Sequence, residues 1–169
     1  MAYFNGLSTT DKEHYVKKLT LNNGTILPDP YEVTNEKLLS DVTLLPDIAF
    51  ADISFYLIET PSEFTRDKIR AYKSLEAYNF FVSGHVQDVF IHKLPLSTYV
   101  YLKSKVLPSQ RQGVKEILYD VWVIINNAGW ILSGNCTCMS GMASVCSHVA
   151  ALLFKLQAMA CLRYHKVFF

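Results

Sequence analysis

Two short cysteine motifs restrict what this chain can fold into more than any other feature. Positions 136–148 hold three of the four cysteines and one of the five histidines, arranged as C-x-C and then C-x-H: Cys136, Cys138, Cys146 and His148. Three thiolates and one imidazole form a complete tetrahedral shell for Zn²⁺, which leaves no position for water or substrate. The motifs therefore predict a zinc site with a structural role.

Two alternatives to a zinc site stay open for these cysteines. Free cysteine often packs as a small buried hydrophobe, so the pairs could be coincidental. A disulfide between Cys136 and Cys138 would be strained, although residues two apart in a strand share a face. Residues 1–15 lack the apolar segment of a secretory signal. We therefore expect an intracellular protein, in the nucleus or the cytoplasm, where disulfides are rare.

The residues around the motifs predict a β-hairpin followed by a helix. In a strand over residues 119–125, odd-numbered and even-numbered side chains would lie on opposite faces, and both sets are fairly apolar. This is typical of a strand that is covered on both faces. Asn126–Gly129 is a turn sequence, and the return strand leads into Cys136. Apolar residues recur at helical spacing over 147–160. Because residues two apart in a helix are rotated by about 200°, the cysteine of C-x-H must precede the first turn.

The stretch Trp130–Leu156, WILSGNCTCMSGMASVCSHVAALLFKL, resembles a SWIM-type zinc finger. The signature of that family is C-x-C-x(n)-C-x-H on a β-β-α unit, and all four of its ligand positions are matched by Cys136, Cys138, Cys146 and His148. The resemblance implies zinc binding and an interaction role with DNA or with proteins. Cys161 lies more than two helical turns beyond the histidine, so we do not expect it to be a ligand.

A longer part of the chain is similar to the region that precedes a YqaJ-type recombinase nuclease domain in mobile-element-derived animal proteins. The similarity rests on DIAFAD at residues 47–52, on KSLEAY at 73–78 and on the finger. It implies that a nuclease domain would follow residue 169. A two-metal nuclease often has an E-x-K element, but no glutamate here has a lysine two positions later. No nuclease residue is therefore assigned.

We predict an α+β fold with an N-terminal helix and extended arm, a small antiparallel β region and a C-terminal β-β-α zinc finger. The arm spans residues 1–61: a short helix around Tyr15 is followed by an irregular segment at 23–61, whose apolar residues 44–58 pack on a neighbour or a partner. Residues 62–116 form a helix over 62–82 and two strands at 85–107. Residues 117–160 are the finger, and 161–169 are a tail.

The charge pattern limits the possible partners. A formal net charge of +1 gives no overall attraction to nucleic acid or to an anionic membrane. DNA binding would need a local patch, for which the candidates are Lys103, Lys105, Arg111 and Lys115, with both strand lysines on an exposed face. We expect such binding to be weak and salt-sensitive, with protein contact through residues 44–58 as the competing role.

No phosphate loop, HExxH motif or dinucleotide fingerprint occurs in the sequence. We therefore expect a non-enzymatic module that uses Zn²⁺ as its cofactor and DNA or another protein as its partner. We expect no membrane association and no small-molecule substrate. The alternative is a truncated fragment of a YqaJ-like nuclease or recombinase whose catalytic domain is missing.

Overall fold

A four-stranded antiparallel sheet is the centre of the fold in the computed structural model, which describes residues 2–33, 42–60, 75–108 and 117–167. The strands, in spatial as well as chain order, are β1 (Phe90–Lys93), β2 (Tyr99–Val106), β3 (Tyr119–Asn126) and β4 (Ile131–Cys136). The helices are α1 (Ala2–Asn5), α2 (Thr9–Leu19), α3 (Phe50–Glu59), α4 (described over residues 75–82) and α5 (Ser147–Val167). The α+β class is therefore confirmed.

Strand β3 is covered on both faces, as its sequence predicts. Every residue from Val121 to Ile125 is at most 1% exposed. The odd-numbered residues of this stretch face the core formed with α3, α4 and α5. Trp122 and Ile124 face a second core under α2, which contributes Tyr15 and Leu19. The sheet is thus the middle layer of three. In the described residues no helix combines the length and apolar character that a bilayer crossing requires.

Strand β2 pairs with β3 along its whole length, from Tyr99 opposite Asn126 to Val106 opposite Tyr119. The predicted segments 62–116 and 117–160 therefore contribute strands to one sheet. The prediction of an exposed lysine-bearing face on β2 is wrong at Tyr101 and Lys103, whereas Lys105 is exposed. Tyr101 on that face is fully buried, and its hydroxyl donates to the carbonyl of Pro28 at 2.6 Å. The N-terminal segment packs on this face, where Tyr101 belongs to the core under α2, and carbonyls of the segment accept hydrogen bonds from Tyr101 and Lys103.

Residues 50–59 form a helix, although the sequence predicts an extended segment there. The carboxylate of Asp52 accepts the backbone N–H of Ala49 at 2.8 Å and so caps the start of α3. Pro46 precedes the helix and does not interrupt it. Leu45, Ile48, Ile53 and Tyr56 are buried in the same core as α5. The apolar part of the arm therefore packs on its own chain.

The last helix is longer than its apolar spacing predicts. It continues to Val167, so the prediction of a tail is wrong over residues 161–167. Its extension is anchored by Arg163, whose guanidinium donates to the carbonyl of Leu45 and pairs with Asp47.

The predicted helix over 62–82 is helical at 75–82, and residues 61–74 lie outside the described residues. Gly84, with φ of 72°, follows the end of helix α4 and is the stop that the sequence predicts.

The turn between β3 and β4 forms at the predicted residues and fits tightly against the segment before α3. Gly129 has φ of 89°, in the left-handed region that favours glycine. A Cβ atom there would lie 2.0 Å from the carbonyl oxygen of Asp47. The hairpin that leads to the cysteines is therefore held close to the start of α3, and the close approach requires glycine.

We expect Gly129→Ala to lower the free energy of unfolding by about 2–4 kcal/mol, because a strained φ and a backbone clash add. Gly24→Ala is the matched control: its φ is 82°, but no atom lies within 4 Å of the position that a methyl group would take. It should cost only about 1–2 kcal/mol. Urea unfolding measures both, and equal losses would contradict the close approach.

Candidate metal centre

The four predicted ligands converge where β4 ends and α5 begins. Cys136 is the last residue of β4, Cys146 directly precedes α5, and His148 lies in its first turn. The ligand atoms all lie within 4.8 Å of one another. The Sγ atoms of Cys136 and Cys146 are 3.8 and 4.0 Å from Nδ1 of His148. Ligand atoms around tetrahedral zinc are about 3.5–3.8 Å apart, so this donor set can hold a metal ion.

Two residues of the cluster are buried, Cys138 and His148 are half-buried, and the thiols are free. Cys136 and Cys146 are 0% and 3% exposed, and no cysteine of the chain forms a disulfide. Hydrogen bonds to the neighbouring thiols, together with burial, raise the pKa of Cys136. The hydrogen bonds that Cys138 receives from Cys136 and Cys146 lower its own pKa. A bound cation would favour deprotonation of all three cysteines.

The imidazole ligand is fixed by two aromatic rings and by a contact from α4. The ring of His148 stacks on Phe80 at a centroid distance of 5.6 Å and lies 4.8 Å from Tyr119. The hydroxyl of Ser147 donates to the carboxylate of Glu76 on α4. These contacts orient the first turn of α5 so that Nδ1 faces the thiols.

The loop before Cys146 reverses the chain, and α3 supports it. Ser144 has φ of 64°, a left-handed conformation that is strained for a residue with a side chain. The buried hydroxyl of Tyr56 donates to the carbonyl of Ser144 at 2.9 Å. Burial, and then the nearby Cys146, raise the pKa of the Tyr56 phenol, so it stays a neutral donor. This bond holds the loop in the conformation that returns Cys146 to the cluster.

Gly134 allows α5 to pack closely on β4. A Cβ atom at this position would meet Cγ1 of Val149 at 2.9 Å and Cγ1 of Val123 at 3.2 Å. Val149 follows the ligand His148 directly and is fully buried. A larger residue at 134 would therefore displace the first turn of α5 and with it the imidazole.

The next residue of β4 connects the centre to the opposite face of the sheet. Asn135 is fully buried, and its Oδ1 accepts a hydrogen bond from Nζ of Lys18 at 2.6 Å. Its Nδ2 donates to the hydroxyls of Tyr3 and Tyr31, each at 3.1 Å. Burial lowers the pKa of Lys18 to about 8, and the nearby Cys146 and Cys136 oppose that shift.

The candidate DNA-binding residues fall into two groups. Lys103 and Lys105 lie on one face of β2, and both have partners in the chain: Lys103 Nζ donates to the carbonyl of Val33 at 3.0 Å, and Lys105 pairs with Asp120 at 2.9 Å. Arg111 and Lys115 lie outside the described residues. The structure thus brings the two lysines together but engages both within the fold.

A groove lies between α2 and α3 along β4, with a cavity of about 760 Å³. Phe55 and Trp130 line it, are each 52% exposed, and contact each other at a centroid distance of 5.4 Å. Lys17 and Glu59 also line it. We call this feature the α2–α3 groove.

Sequence reasoning missed most residues that support the cluster. Phe80 lies within the predicted helix over 62–82, but the spacing assigned Tyr78 and Phe81 to the apolar face, and neither the burial of Phe80 nor its contact with His148 was predicted. Glu76, Tyr56 and Lys18 reach the centre only through tertiary contacts, and no local pattern marks them.

The comparisons with known proteins add no relative: no protein-family model matches the chain, and neither curated proteins nor solved structures include a similar one.

We expect the purified chain to contain one zinc ion, since the cluster supplies four ligands and zinc prefers this combination. Cys138→Ser and His148→Ala should each abolish stoichiometric binding. Cys161→Ser is the matched control, because Cys161 is exposed on α5 outside the cluster and should be dispensable. Elemental analysis by mass spectrometry gives the stoichiometry. Zinc near zero in the wild type, or lost equally in all three variants, would contradict the assignment.

Proposed function

We propose that this chain is a non-enzymatic, SWIM-type zinc module that acts by binding another macromolecule. The observation that supports it is the convergence of Cys136, Cys138, Cys146 and His148, whose ligand atoms lie within 4.8 Å of one another. With four protein ligands, zinc has no open position at which a substrate or water could react. Metal binding of this kind contributes folding free energy on the order of 10 kcal/mol in finger peptides.

The metal would join parts of the chain that otherwise meet only through packing. It links the end of β4 to the start of α5, the helix that covers one face of the sheet. The ring contacts of the imidazole with Phe80 and Tyr119 extend this link to α4 and β3. The hydrogen bond from Tyr56 to the loop extends it to α3. A closed zinc centre therefore accounts for a loop that holds a residue in a left-handed conformation.

We favour a protein as the partner, bound in the α2–α3 groove as an extended segment with apolar side chains. Phe55 and Trp130 present half-exposed aromatic surface beside a cavity in the size range of ligand sites. Aromatic residues of this kind often carry most of the binding energy in protein interfaces. Lys17 and Glu59 give the groove polar residues of both signs, which suits a peptide that carries charges of both signs.

DNA binding has less support because the two described candidate lysines are engaged. A zinc ion with three thiolates and a neutral imidazole also carries a formal charge of −1, so the centre itself would not attract phosphate.

For the alternative of a YqaJ-like nuclease fragment, the deciding observation is a reading frame that continues past residue 169 into a carboxylate-bearing domain. Among the described residues, the Cys/His cluster is the one group with metal-binding geometry.

A random peptide library displayed on phage, selected on the zinc-loaded chain, tests the groove. We expect enrichment of peptides rich in apolar residues, and about tenfold weaker binding of those peptides to Phe55→Ala and Trp130→Ala. Leu96→Ala is the control, because Leu96 is a fully exposed apolar residue in the turn between β1 and β2. Fluorescence anisotropy measures each affinity, and no enrichment, or equal binding to all variants, would contradict the groove.

The same chain titrated with labelled duplex DNA at low and moderate salt tests the other partner class. The wild type and a Lys103/Lys105/Arg111/Lys115 alanine variant should bind equally weakly. Salt-sensitive binding by the wild type that the variant loses would instead establish the nucleic-acid function.

A further inference from the structure

The charge of the zinc-loaded centre needs compensation inside the fold, an argument that rests on the proposed zinc site. Three thiolates, one neutral imidazole and Zn²⁺ sum to a formal charge of −1. Cys136 and Cys146 are almost fully buried, so water cannot solvate this charge well. A buried charge is unfavourable unless an opposite charge or several hydrogen bonds stabilise it.

The end of α2 places a lysine beside the ligand strand. Nζ of Lys18 donates to the carbonyl of Gly134 at 3.3 Å and to Oδ1 of Asn135 at 2.6 Å. These two residues directly precede the ligand Cys136. The hydroxyl of Ser133 donates back to the carbonyl of Lys18 at 2.6 Å, which fixes the last turn of α2 against β4. The half-buried ammonium is thus held at the strand that carries the first ligand.

The position of Lys18 also gives it an electrostatic interaction with the cluster. Burial lowers its pKa, while the charges of Cys146 and Cys136 act in the opposite direction and favour the ammonium. These two cysteines are the most buried of the cysteine ligands. Lys17, one residue earlier on α2, is exposed and so offers a comparison at a solvated position.

We propose that Lys18 supplies the counter-charge of the metal centre, and that it thereby couples the N-terminal helix α2 to metal binding. The ammonium balances the net charge of the loaded cluster from the far side of β4. Because binding free energies are reciprocal, the ion strengthens the docking of α2 by the same factor by which Lys18 strengthens the binding of the ion. The N-terminal segment is then part of the metal site, although it lies more than a hundred residues away in the sequence.

The test measures zinc affinity of the full chain by competition with a chromophoric chelator. Lys18→Met keeps most of the stem but removes the charge, and it should weaken zinc binding about tenfold, within the usual range of coupling between sites. Lys18→Arg keeps the charge and should recover a large part of the loss. Lys17→Met removes a charge from the exposed neighbouring position and should bind as the wild type does. Circular dichroism of each zinc-loaded variant checks that the fold is retained.

Each outcome separates this inference from the proposed function. If Lys18→Met binds zinc as tightly as Lys17→Met, the counter-charge is overturned while the zinc site stands. If Lys18→Arg loses as much affinity as Lys18→Met, packing rather than charge is responsible, and the inference is again overturned. A wild type that binds no zinc would remove the proposed function itself.

Discussion

The junction between β4 and α5 is the constraint on which the rest of the structure depends. The chain leaves the sheet at Cys136, reverses through a short loop and enters the helix that covers one face of the sheet. Such a reversal places backbone in a strained conformation, as Ser144 shows. A metal ion bound to the four converging side chains would stabilise that reversal, because each bond to the ion would fix one point of the path. Helices α3 and α4 contact the same junction, through Tyr56 and Phe80, and so the core forms around it.

Strand β4 serves both faces of the sheet because successive side chains of a strand point in opposite directions. Gly134 and Cys136 face α5, where Gly134 permits close packing and Cys136 belongs to the cluster that can hold a metal ion. Asn135, between them, faces the N-terminal layer and contacts Lys18, Tyr3 and Tyr31. A six-residue strand thus links the two cores. Metal binding at one face is therefore positioned to affect packing at the other, which is the physical basis for assigning a role to Lys18.

The local features of the fold could be predicted, and the long-range ones could not. The clustering of the four candidate ligands, the turn at Gly129, the start of α5 and the doubly covered β3 follow from spacing, turn chemistry and periodicity within short windows. Helix α3 escapes prediction because its apolar residues show no clear period, and its stability depends on the Asp52 cap and on burial of Ile53 and Tyr56. The packing of the N-terminal segment on the lysine-bearing face of β2 could not be predicted either, because a strand pattern does not reveal that a distant segment will pack there. The contact of Lys18 with Asn135 likewise has no signal in either local sequence.

The central claim is that the cluster is a closed, structural zinc centre that holds this junction together. X-ray absorption spectroscopy at the zinc edge of the loaded chain tests it most directly. A closed centre predicts three sulfur neighbours at about 2.3 Å and one nitrogen at about 2.0–2.1 Å, with no further atom bound to the metal. A shell with fewer than three sulfurs, or one that includes a water oxygen, would contradict the claim, because an open coordination position would favour a reactive metal site over a structural one.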